Sequence, residues 1–108
     1  MFVKKALANI AASQTDAALV TAVAGSAIKV LGLCAKAGGT ATNITFNSKP
    51  AGAGTAISAL FANGINGETI LPFCKEGWFE TVVGEGLTCT TGAGATTGIQ
   101  IIYETRTI

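Results

Sequence analysis

Glu80 and Glu85 are the pair of acids whose spacing could do chemistry in this chain. Two carboxylates flanking a glycosidic bond would divide the work, one as acid and the other as nucleophile or base. The plainer reading puts Glu80 on a solvated strand face and Glu85 in a turn between Gly84 and Gly86. The chain has no histidine, which removes most catalytic triads, most zinc sites and the usual acid–base group near neutrality. Cys34, Cys74 and Cys89 lack Cys-x-x-Cys spacing and sit in apolar, strand-like contexts, so they read as reduced, small, buried hydrophobes. Gly92-Ala93-Gly94 lacks the Lys-Ser/Thr of a phosphate loop and reads as a hairpin tip. Trp78 could stack on a sugar, but beside Phe79 it reads as core or interface. Asn43-Ile44-Thr45 matches the glycosylation pattern, which carries weight only in a secreted chain. No catalytic, metal or cofactor site is assigned. The residues describe a scaffold.

The elements that would build it are strands. From Gly77 to Tyr103 three runs rich in Val, Ile, Thr and aromatics alternate with glycines: Trp78–Val83, Leu87–Thr91 and Gly98–Tyr103. Polar or Gly-rich breaks of this length suit hairpins, so the stretch reads as a β-meander around which the fold is organised. Upstream, Leu19–Val23 reads as a strand and Ala27–Lys36 as a central strand buried on both faces. Thr40–Ser48 alternates, with Thr42, Ile44 and Phe46 facing the core and Ala41, Asn43, Thr45 and Asn47 facing water. Residues 49–54 form a loop, Thr55–Phe61 a strand or turn plus strand, and Ala62–Gly67 a turn-rich loop marked by Asn63-Gly64. Thr69–Phe73 reads as an edge strand because of Pro72. The expected fold is all-β: an antiparallel β-sandwich of about eight strands, jelly-roll-like. Residues 16–108 form the sandwich. Residues 1–15 stand outside it as a short helix, suggested by Val3, Leu7 and Ile10 at roughly helical spacing, or as an extended arm lying on a neighbour.

Composition points to company. The chain is 108 residues long, one domain, and only 12% of it is charged, about half the usual ~25%. Mean hydropathy is positive. Much of the surface is therefore expected to be covered by partner subunits. Net charge is +1, and only Lys4-Lys5 cluster, so no basic stripe exists to neutralise nucleic-acid phosphates. No apolar run approaches the ~20 residues that span a bilayer as a helix. The N-terminus has two lysines, but Asn9, Ser13, Gln14 and Asp16 break any apolar leader region, so no secretory signal is expected.

One resemblance narrows the role. Gly54–Ala62 (GTAISALFA), an Asn/Gly-rich loop, Glu68–Phe73 (ETILPF), Gly77–Thr81 (GWFET), Gly84–Gly94 (GEGLTCTTGAG) and Thr97–Glu104 (TGIQIIYE) follow one another in an order that resembles small decoration, or cement, proteins of tailed bacteriophages. It runs from Ile28 to the C-terminus. Residues up to Thr15 fall outside it. The resemblance implies a jelly-roll or β-sandwich fold and a homotrimer on the outside of a capsid, bound to the major capsid protein. It also implies location in the virion after synthesis in the host cytoplasm, with no enzymatic activity. On this reading Phe2, Val3, Lys4, Lys5, Leu7 and Ile10 are the expected capsid contacts. The alternatives are a trimeric fibre-tip or receptor-binding β-sandwich and a soluble lectin-like module.

Overall fold

The computed structural model describes residues 3–107. Two five-stranded antiparallel sheets pack face to face, and no helix occurs among those residues. The strands are β1 (Val3–Ile10), β2 (Ala17–Val20), β3 (Ser26–Ala37), β4 (Thr42–Lys49), β5 (Thr55–Ala56), β6 (Phe61–Asn63), β7 (Glu68–Leu71), β8 (Phe79–Glu80), β9 (Gly86–Thr91) and β10 (Thr97–Thr107). The front sheet runs β1-β10-β3, with β7 and β8 both pairing the far side of β3. The back sheet runs β2-β9-β4, with β5 and β6 both on the far side of β4. If β5/β6 and β7/β8 are each counted as one interrupted strand, each sheet has four positions. The chain repeatedly crosses from one sheet to the other, which is the jelly-roll-like order expected.

Alternation explains which side chains meet. Ile44 and Phe46 on β4 are fully buried, as are Leu87 and Cys89 on β9. Opposite them Ile28, Val30, Leu33 and Ala35 on β3 and Ile99 and Ile101 on β10 close the core. Phe46 is its centre. Its ring stacks on Phe79 at 5.4 Å between centroids and tilts against Phe61 at 6.2 Å. Few aromatics are needed because the core is one layer thick between two sheets.

Three expectations are corrected. The first concerns the N-terminus. Residues 3–15 are neither a helix nor an arm off the sandwich, because Val3–Ile10 pairs with β10 along its whole length, from Val3↔Glu104 to Ile10↔Thr97. The deciding period is two. Ala6 and Ala8 are half-buried and Ile10 is buried, while Lys5, Leu7 and Asn9 point to solvent. Phe2 lies outside the described residues.

The second concerns Gly77 to Tyr103, which does not form a meander. β8 pairs β3, β9 pairs β2 and β4, and β10 pairs β1 and β3, so none of the three pairs another. Gly92-Ala93-Gly94 is accordingly a crossing between sheets rather than a hairpin tip. Gly94 has φ +148°, and a Cβ there would strike the carbonyl oxygen of Ala41.

The third concerns cysteine. Cys89 is buried, but Cys74 is half-buried and Cys34 exposed, and all three are free. The span Ala27–Lys36 is buried on both faces only in its first half. A β-bulge at Leu31 (Ile102 faces Gly32, Tyr103 faces Val30) shifts the pattern, and beyond it Cys34 and Lys36 face water.

Candidate functional site

Of the residues singled out from sequence, the two acids have different partners. Glu80 on β8 accepts from Arg106 Nε at 2.5 Å and Nη2 at 2.9 Å. That paired guanidinium holds the Glu80 carboxyl below the usual range, against a smaller opposing effect of burial. Glu85 instead accepts from the buried Ser48 hydroxyl on the back sheet at 2.7 Å, and the Val82 amide donates to the same hydroxyl at 2.9 Å. Each acid is thus held by a different partner, Glu80 by Arg106 on β10 and Glu85 by Ser48 on β4. Trp78 is half exposed, and its indole Nε1 donates to the Pro72 carbonyl at 2.8 Å. Asn43 is exposed on β4. Among the described residues no three His, Cys, Asp or Glu side chains converge.

Two exposed apolar surfaces do form. The first is one end of the sandwich. Val23, Val82 and Val83 are exposed on the loops 21–25 and 81–85. These loops adjoin, because Gly84 N donates to Ser26 O at 2.8 Å and Ser26 N to Val23 O at 3.1 Å. Val3, half exposed, enters the front sheet at this end, in register with Glu104, Lys29 and Glu80. That row is the charged boundary of the tip. Lys29 Nζ stands 3.8 Å from Glu104 Oε1, and Arg106 holds Glu80. Glu104 Oε2 is buried with no hydrogen-bond partner.

The second surface is the outer face of the front sheet. Strand register lines up Leu7, Gln100, Cys34 and Ile70 in one row and Lys5, Ile102 and Gly32 in the next. Leu7 is 76% exposed on β1, and Ile70 and Phe73 are 58% and 60% exposed along the opposite edge. Between these rims lies a trough of about 520 Å³ whose lining includes Gly32, Cys34, Leu71 and Ile102. Gly32 deepens it by lacking a side chain. A Cβ there would meet its nearest atoms at an ordinary 3.5 Å, so packing does not force the glycine.

The back sheet's outer face is different: it is a hydrogen-bonded polar surface. Asp16 Oδ1 accepts from Asn47 Nδ2 at 3.1 Å and from Thr88 Oγ1 at 3.1 Å, and Asp16 Oδ2 accepts from Gly54 N at 3.0 Å. The Gly54 amide is the largest cause of a carboxyl pKa below the ordinary value; Thr88, Lys49 and Asn47 add to it, against some desolvation. Asn47 is buried beneath this cluster although its strand parity faces water. Every partner here is internal, so Asp16 works as a clamp.

Of the expected contact residues, Val3, Lys4, Lys5 and Leu7 are exposed, and Lys5 and Leu7 line the trough. Ile10 is removed from the set because it is buried in the chain's own core. Ile70, Phe73, Val82 and Val83 were not singled out, and neither was Asp16. Phe73 directly after Pro72 was the one available signal, since a proline cannot donate to a ladder and so marks a sheet edge. The chain matches no protein-family model, no curated protein and no solved structure.

Proposed function

We propose that the protein is a virion structural component, a capsid decoration or cement protein that binds the outside of a phage head as a trimer and stabilises the shell. Its partners on this reading are the major capsid protein and further copies of itself. The observation that carries the reading is the apolar end of the sandwich. Val23, Val82 and Val83 stand out on two adjoining loops at the end where the N-terminal strand enters. Adjoining exposed apolar side chains in a charge-poor protein are suited to cover by another protein. A valine is worth about 1.5–3 kcal/mol when fully buried, before the cost of ordering the contact. Repeated over the many symmetric copies of a shell, a modest contribution per copy adds up.

The test is cosedimentation of the full chain with purified capsids of the particle that encodes it. Saturable binding is expected. The double variant Val82→Asp, Val83→Asp should lose at least ten-fold in affinity with its circular dichroism unchanged. If no capsid binds the wild-type protein, the reading fails. Saturable binding to host cells would then favour the fibre-tip or receptor-binding alternative.

A further inference from the structure

The front sheet ends on an edge that no other strand of the chain closes. β1 has β10 on one side and no strand on the other. Among the described residues no further backbone hydrogen bond reaches Val3–Ile10. Alternate residues of a paired strand aim their N–H and C=O groups away from its neighbour, so this edge presents an outward row of donors and acceptors. The other outer strands are blunted. β2 has four residues and an irregular register between Ala18 and Val20, and β5, β6, β7 and β8 have two, three, four and two residues. β1 has eight, in unbroken register with β10. Short or bulged edges resist pairing with other chains, whereas a long regular one invites it. The open part is Val3–Asn9, since Ile10 is buried.

We infer that β1 takes up an extended, acidic segment of another protein as an added antiparallel strand. Backbone groups bind such a strand whatever its sequence, and side chains select it. Lys4 and Lys5 make the selection. Consecutive residues of a strand face opposite sides of the sheet, so an added strand meets one lysine on each face. Both lysines are exposed, β1 carries no acid, and neither lysine has an ionic partner among the described residues. Glu104, diagonal to Lys5 on β10, pairs Lys29 instead. A strand with two consecutive carboxylates opposite Lys4 and Lys5 therefore gains an opposite-charge pair on each face. Further along, an apolar side chain opposite Leu7 covers a residue that is 76% exposed. Antiparallel pairing, the more stable per residue, sets the motif as apolar-any-acid-acid from N to C. A second copy of β1 is the poorer occupant, because it brings two more lysines and no acid to the edge. The inference goes beyond the shell-binding reading and holds without it.

The probe is a labelled, capped peptide, Val-Thr-Val-Thr-Glu-Glu-Thr, titrated with the full chain without capsids and followed by fluorescence anisotropy. Saturable binding below about 1 mM is expected, weakening as salt is raised. Exchanging both peptide glutamates for lysines should weaken binding about ten-fold. Lys4→Glu with Lys5→Glu in the protein should invert that preference at an unchanged thermal midpoint. Backbone pairing is read separately, with two versions of the peptide N-methylated on alternate amides. The version that blocks the groups facing β1 should lose binding at least ten-fold, and the other should keep it. An equal effect of the two versions leaves charge attraction alone and overturns the inference. So does an absence of saturable binding at about 1 mM. A peptide affinity that falls as the chain self-associates also overturns it, and gives the edge to a second copy.

Discussion

Asp16 adopts φ +52°, a left-handed conformation that an aspartate tolerates better than most side chains. From there one carboxylate ties the turn after β1 to β4, β9 and the loop before β5. Because its folded pKa is lowered, its contribution is present above the unfolded value and lost as pH falls through the folded one. Asp16→Asn should therefore cost about 1–2 kcal/mol at pH 7, a value discounted for the solvent that reaches the site. The gap between variant and wild type should start to narrow as pH falls below the unfolded carboxyl value of about 4, and go on narrowing down through the lower folded one. Urea unfolding at pH 7 and pH 3 measures both; an equal gap at the two pH values would contradict the clamp. The cysteines give a second residue-scale test. Burial pushes the Cys89 thiol up to about 12, so it is inert as well as hidden. In the native protein a thiol reagent should modify the exposed Cys34 first and leave Cys89 until unfolding, when three thiols should titrate. Rapid native modification of Cys89 would place that strand wrongly.

At the scale of elements, β1 is the informative strand. Its outward residues, Lys5, Leu7 and Asn9, can change without touching the core, whereas Ile10 sits in it. Ile10→Ala should cost about 2–5 kcal/mol through lost burial and the cavity left behind. Leu7→Asn should stay within about 0.5 kcal/mol. Denaturant midpoints of the two variants report the strand's register directly, because a one-residue slip would exchange the two costs. The same pairing makes deletion of residues 2–12 a folding defect rather than the removal of an appendage. It would strip eight paired residues from β10 and leave that strand as a bare edge. On β4 the alternation read from sequence holds: Thr42, Ile44 and Phe46 are all buried.

At the scale of the molecule, the first and last strands are neighbours. β10 is central in the front sheet, flanked by β1 and β3. The sheet cannot close until the C-terminal strand is in place, and little of the pairing is local. Such folds pay loop-closure entropy before most contacts repay it, so refolding should take milliseconds to seconds. Stopped-flow refolding with a dominant submillisecond phase would argue against this topology. The same connectivity places the Leu7 and Phe73 rims on opposite sides of one trough, and it gathers the valines of two separate loops at one end.

From Ala17 onward, sequence alone determined the kind of element and much of its facing. Strand residues, glycine breaks and the alternation at Thr42, Ile44 and Phe46 are local properties, and each is set by how a pleated chain exposes successive side chains to opposite sides. Pairing between strands is not local. Which strand lies beside which decided that Val3–Ile10 belongs to a sheet, that Phe79–Glu80 pairs β3 rather than its sequence neighbours, and that Cys34 faces solvent. Register across four strands then set Leu7, Gln100, Cys34 and Ile70 in one row. Periodicity of two gives the face of each strand, but only the packed sheet gives that face its neighbours.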